Sequence, residues 1–289
     1  MHIIRHRPKQ SARKHVLQTG TALVKLMHKT HFWARPCMLV LLLLSGVPAM
    51  ADSRAVDSSN YEINFHSGDT SASGDRLSYY YAFAGRATFP LGQYLGVSLA
   101  INSANSTLVA TPSNSTTSGQ PWEGCGYHGV DYGMNLFARN PNFGRIGIGY
   151  SANRLTSQCS ATFIADGSDT LKTDTYNTNA EYYFSRVTLA AAWSQTNITN
   201  SSDVTTDTLT ASWYPSDLTR LSIAASGLDL KDTYSVELEY QPEFLDNLIG
   251  VRLSFTSQQQ TIKTQSIMVG VSYYFGKNAD LITRDREYR

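Results

Sequence analysis

The chain has 289 residues, of which 42% are hydrophobic and only 16% charged, with a formal net charge of +1. Eight of its 24 Lys/Arg and none of its 23 Asp/Glu fall in residues 1–51, so residues 52–289 are acidic by seven charges. An acidic chain disfavours a nucleic-acid partner, because binding phosphate needs a basic face; beyond residue 51 it keeps only His66, His128, Cys125 and Cys159, too few for an ordinary Cys/His zinc site.

The chain opens on a basic leader and an apolar run, MLVLLLLSGV, at residues 38–47. That run is too short to span a bilayer as a helix, which needs about 20 residues. It is followed by Ala49-Met50-Ala51, the A-x-A pattern of a cleavage site, so residues 1–51 are expected to be a secretory signal with a long leader. Met27 begins an ordinary signal peptide by itself and is the expected true start, the rival being an extended targeting leader.

After residue 51 no segment has the period of a long amphipathic helix. Leu95, Val97, Leu99 and Ile101 alternate with Gly96, Ser98, Ala100 and Asn102. The same period of two recurs at 130–136, 146–150, 187–193, 221–225, 234–240 and 249–255, which predicts strands with one large apolar face and one small, polar face. Twelve strands are expected, near 60–66, 76–89, 94–105, 127–139, 145–154, 171–184, 187–197, 204–214, 218–228, 232–241, 248–258 and 262–275, with ten or fourteen as the alternatives. Short turns at 90–92, 140–144, 185–186, 215–217 and 242–247 alternate with a second set of links that includes the long polar loops 106–126 and 155–170. Segments of about ten residues, apolar outward and polar inward, with short turns at one end and longer loops at the other, are the pattern of an antiparallel up-and-down transmembrane β-barrel. The backbone of such a protein finds no hydrogen bonds in lipid and is satisfied by closing the sheet. An even strand count puts both termini at the turn end.

Aromatics gather beside the short turns, and Phe89, Phe137, Phe184, Trp213, Tyr240, Tyr273 and Phe275 are expected to form an interfacial girdle. Cys125 and Cys159 stand equally far in sequence from Asn142, the centre of the turn between them. In an oxidising compartment they are expected to face each other across two adjacent strands and form a disulfide.

By parity, Glu62, Arg86, Asp131, Arg145, Glu181, Arg220, Glu237, Glu239 and Arg252 point inward. If the turn at 242–247 is centred between Phe244 and Leu245, Glu237 faces Arg252. Opposed charges in a lumen either bias which solutes pass or pair and hold the interior together. No nucleophile motif, paired acidic loop or phosphate-cradling glycine loop is present, and a His with serines nearby does not make a triad. No cofactor and no enzyme activity are expected.

The A-x-A signal end, the repeated alternation and the last strand, Met268-Val-Gly270-Val-Ser-Tyr273-Tyr-Phe275, resemble Gram-negative outer-membrane β-barrel proteins of the porin-like kind. That strand looks like the terminal signal read by the barrel-assembly machinery, departing from it at Met268 and in not ending the chain. The resemblance implies a barrel over 52–275 in the bacterial outer membrane, with outer-membrane lipid and the assembly machinery as partners. It also implies passive diffusion of small hydrophilic solutes as the function. A non-conducting barrel that binds a partner through its loops or tail is the alternative, and a barrel lipid hydrolase the third reading. Residues 276–289 are expected to form a mobile, polar periplasmic tail rather than a helix plugging the lumen, with a short docked segment as the alternative.

Overall fold

The structure, a computed structural model, describes residues 55–72, 75–109, 126–158, 170–199, 201–227, 232–259, 263–276 and 278–289. It is a closed antiparallel barrel of twelve strands in which each strand pairs with its sequence neighbours and the first pairs with the last. The strands are β1 (Asn60–Ala72), β2 (Asp75–Pro90), β3 (Leu95–Leu108), β4 (Gly126–Asn140), β5 (Gly144–Ser157) and β6 (Thr170–Phe184). They continue as β7 (Val187–Ile198), β8 (Val204–Ser216), β9 (Thr219–Gly227), β10 (Thr233–Tyr240), β11 (Ile249–Gln259) and β12 (Lys263–Phe275), and one helix follows, α1 (Leu281–Tyr288). Closure leaves no free sheet edge.

The alternation of the sequence becomes the two sides of the wall. Leu99, Ile101, Tyr132, Met134, Ile148, Leu209, Ile223, Leu253, Ile267 and Val269 all lie exposed on the outside. Large exposed apolar side chains on every side of a barrel are a liability in water and the requirement in lipid. The turns β2–β3, β4–β5, β6–β7, β8–β9 and β10–β11 lie at one end, which also holds both termini of the barrel.

Local chemistry sets these turns. In the β4–β5 hairpin the Asn142 amide donates to Asn140 Oδ1 at 3.0 Å, and the Phe143 amide to the Asn140 carbonyl at 3.1 Å. Gly144 then takes φ +155°, and a Cβ there would lie 1.9 Å from the Glu181 carbonyl oxygen, so only glycine fits.

Three expectations need correction here. The first strand extends to Ala72, because it leaves the apolar band after Phe65 and its further residues Ser67 to Ala72 carry no alternating apolar signal while still pairing with β12 and β2. The β10–β11 register is also shifted: Glu239, not Glu237, opposes Arg252. A 3-10 turn at Glu243–Leu245, followed by Asp246 and Asn247 at φ 51° and 57°, moves the centre of that turn toward its C-terminal side. Third, residues 281–288 are an ordered helix with Leu281, Arg284, Glu287 and Tyr288 buried, and not a mobile tail. Cys125, Cys159 and most of the loops 106–126 and 155–170 lie outside the described residues.

Candidate functional site

The inward side chains divide the lumen into two zones. Toward the loop end many are small or amide-bearing and part-exposed, among them Ala84, Asn102, Ala104, Gly133, Ser151, Asn153, Asn177, Ala192 and Ala224, with larger inward side chains such as Tyr80 and Met268 between them. Asp131 is the one inward acid among the predicted site residues in this zone, and it pairs in register with Asn102 and Asn153. His128 stands on the opposite face of β4 and contacts Asn105 Oδ1 at 3.1 Å, so alternation separates it from Asp131 and no acid–base pair forms.

Toward the turn end the lumen is filled. The filling is α1 together with residues 55–59 before β1. Asp280 caps the helix by accepting from the Thr283 amide at 2.7 Å. Asp285 and Arg289 pair one helical turn apart at 3.0 Å. Helix propensity alone does not hold eight residues in a helix; docking does. Asp285 accepts from Arg220 of β9 at 2.6 Å and from Tyr214 of β8 at 2.6 Å. Arg286 donates to Thr188 of β7 and to the carbonyls of Phe184, Ser185 and Val187. The Tyr288 carbonyl accepts from Thr88 of β2 at 2.8 Å. Arg284 lies 3.9 Å above the Tyr274 ring of β12, a cation–π contact worth about 0.5–2 kcal/mol.

Arg289 sits at the centre. It donates to Glu62 at 3.0 Å, to both oxygens of Glu239 at 2.7 Å and to the Tyr274 hydroxyl at 2.6 Å. Glu239, fully buried, also accepts from Arg220 at 2.8 Å and from Arg252 at 3.4 Å. Arg220 makes a further short contact with Glu237. Four acids (Glu62, Glu237, Glu239, Asp285) therefore meet four bases (Arg86, Arg220, Arg252, Arg289), Arg86 standing opposite Glu62 in register. Burial pushes the Asp285 carboxyl up, but the Arg220 and Arg289 guanidiniums more than offset it and hold it at about 2. Arg145 and Glu181 form a separate pair at 2.5 Å beside this network.

The predicted inward charges thus fall into one network, one separate pair and Asp131, which has no ion-pair partner among the described residues. Of the predicted girdle, Phe184, Trp213, Tyr240, Tyr273 and Phe275 are exposed on the outside, and Phe89 packs edge-on against Tyr61 at 5.9 Å. Phe137 is a correction: it is 1% exposed and packs inside with Val56, Ala279 and Tyr288. Parity with Asp131 already puts it on the inner face, since the two are an even number of residues apart. Tyr183, Tyr214 and Tyr274 are likewise buried and inward, and with Phe137 they line the seat of the helix. Arg139 was missed as well; it donates to the Ala55 carbonyl at 2.9 Å and so fixes the N-terminal half of the plug.

No protein-family model and no curated protein sequence matches the chain. Among solved structures it is similar to the KdgM porin in complex with disordered oligogalacturonate, at 10% identity and a TM-score of 0.49, over 74% of this chain and 99% of that one. It is similar to the Ralstonia pickettii toluene transporter TbuX at 7% identity and a TM-score of 0.44, over 75% and 89% of the two chains. The translocator domain of the autotransporter NalP from Neisseria meningitidis matches at 11% identity and a TM-score of 0.44, over 89% and 98%. At these scores the likenesses carry no functional weight.

Proposed function

We propose that the protein is a porin-like channel of the bacterial outer membrane for passive diffusion of small hydrophilic solutes, closed in this conformation at its periplasmic end by its own C-terminal helix. The supporting observation is the contrast between the two zones of the lumen. Barrels of about eight strands have interiors just filled by side chains, and barrels of 16–18 hold aqueous channels. A barrel of twelve lies between, so its bore is decided by side-chain size. Small residues around the loop half leave a hydrated path, and the turn half is blocked by α1 rather than by the wall. Conduction then requires the tail to leave its seat. The charges of the wall, with the loop 106–126, set which solutes pass.

A second reading is favoured by the same docked helix: a permanently closed barrel that serves as a structural or interaction module. Planar-bilayer recordings separate the two. The full chain should give rare, brief openings, and a variant lacking residues 279–289 should give long-lived steps of larger amplitude. No steps from either protein, with folding of both shown by heat-modifiable gel mobility, would establish the closed barrel instead.

A further inference from the structure

We propose that the lumen wall formed by β1, β10, β11 and β12 holds a binding site for a small zwitterion, an amino acid with a short side chain. Its biological use rests on the channel reading; its binding test does not. A cavity of about 110 Å³ opens there, lined by Asn64, His66, Glu237, Arg252, Ser254 and Gly270. A single water needs about 10–15 Å³ of such space, so the cavity admits a small polar solute.

Gly270 creates the gap. It opposes His66 on one side and Arg252 on the other, so the three form one row across the wall. A Cβ at 270 would lie 3.4 Å from the His66 Cβ and 3.7 Å from the Arg252 Cβ, filling the space between imidazole and guanidinium.

The lining groups have unused capacity. Glu237 meets both Arg220 and Arg252 through Oε1, and its Oε2 has no hydrogen-bond partner among the described residues. Arg252 Nε, 3.6 Å from Glu237, is a buried donor with no hydrogen-bond partner among the described residues. The His66 ring meets the edge of Tyr80 at 5.9 Å, and its nitrogens have no hydrogen-bond partner among the described residues. Acceptor and donors therefore flank one small cavity. A carboxylate bridging Arg252 and His66 leaves an ammonium on the same molecule facing Glu237 Oε2. The surrounding network is already balanced, so a simple anion or cation would bring in an uncompensated charge, and a zwitterion brings none.

The test is calorimetric titration of the folded full chain in detergent with L-alanine, and separately with acetate, methylammonium and glucose. Alanine should bind saturably, and each of the other three at least tenfold more weakly. Glu237→Gln and Arg252→Gln should each weaken alanine at least tenfold. Gly270→Ala should do the same without touching a charge, and it keeps the test valid if a charge variant fails to fold. Equal binding of acetate or glucose, no saturable heat with alanine, or full affinity in Gly270→Ala would overturn the site. Alanine binding without conductance from any variant removes the channel reading and leaves the site. Conductance without alanine binding does the reverse.

Discussion

Replacing Arg289 by alanine tests the plug at its centre. The side chain serves Glu62, Glu239, Asp285 and the Tyr274 hydroxyl together, and Glu62 and Glu239 are 6% and 0% exposed. Removing one partner of a buried ion pair costs about 3–5 kcal/mol, because the other charge is left without compensation. Glu239 keeps Arg220 and Arg252, and Glu62 keeps Arg86 opposite it, so the low end, about 3 kcal/mol, is expected. The loss falls on docking and not on the barrel, whose ladders are untouched. At about 1.4 kcal/mol per tenfold, the docked population should fall roughly 100-fold relative to the undocked one. Amide hydrogen exchange along residues 281–288 reads this ratio directly when reclosing is faster than the intrinsic exchange step. Exchange should quicken by about that factor in Arg289→Ala, with strand amides unchanged. Adding Glu239→Gln removes the stranded charge and should restore part of the protection. Exchange within about threefold of the parent in the single variant would show that Arg289 does not hold the helix.

Four further outcomes follow from the same geometry. Asp285 is held at about 2, below its ordinary 3.8, so its contribution to docking is complete above about pH 4 and is lost as pH falls through about 2; tail protection, taken relative to the intrinsic exchange rate at each pH, should fall across that window, and Asp285→Asn should flatten the change. Phe137→Ala should cost about 3–5 kcal/mol, as for other buried aromatics, and the loss should appear as faster exchange at Tyr288 before any change in barrel melting. Deletion of 279–289 should lengthen channel openings in planar bilayers. Cys125 and Cys159 lie outside the described residues; the disulfide expected from their equal sequence distance to Asn142 predicts that reduction shifts gel mobility in the parent and not in Cys125→Ala.

Much of the wall was legible because a strand repeats every two residues and lipid punishes any error in that repeat. Leu95 to Ile101 shows its outer face without any knowledge of its neighbours. What parity alone implied was also sound at Phe137; a preference for aromatics at membrane interfaces hid it. Where the physics is not local, the sequence was silent. The segment 281–289 looks water-seeking because it carries Arg284, Asp285, Arg286, Glu287 and Arg289. Its charges are matched by Arg220, Glu62 and Glu239, which lie far away in the chain and meet it only once the barrel has closed. The shift of Glu239 onto Arg252 depended on two left-handed residues, Asp246 and Asn247, and a count of residues around a turn does not reveal backbone conformation.

The closing seam gives the tail one more consequence. A slip of one residue between β1 and β12 turns every side chain to the wrong face and is rejected by the solvent. A slip of two keeps inside and outside intact, changes only the stagger of the barrel, and passes unnoticed by hydrophobic sorting. Glu62 and Tyr274 are direct partners across that seam, and one guanidinium, that of Arg289, grips both. Moving them apart by two residues separates them by about 6.6 Å, beyond the span of a single guanidinium. Arg289 thus makes a contact satisfied only in this alignment of the first and last strands, alongside the Asn64–Ser272 hydrogen bond across the same seam.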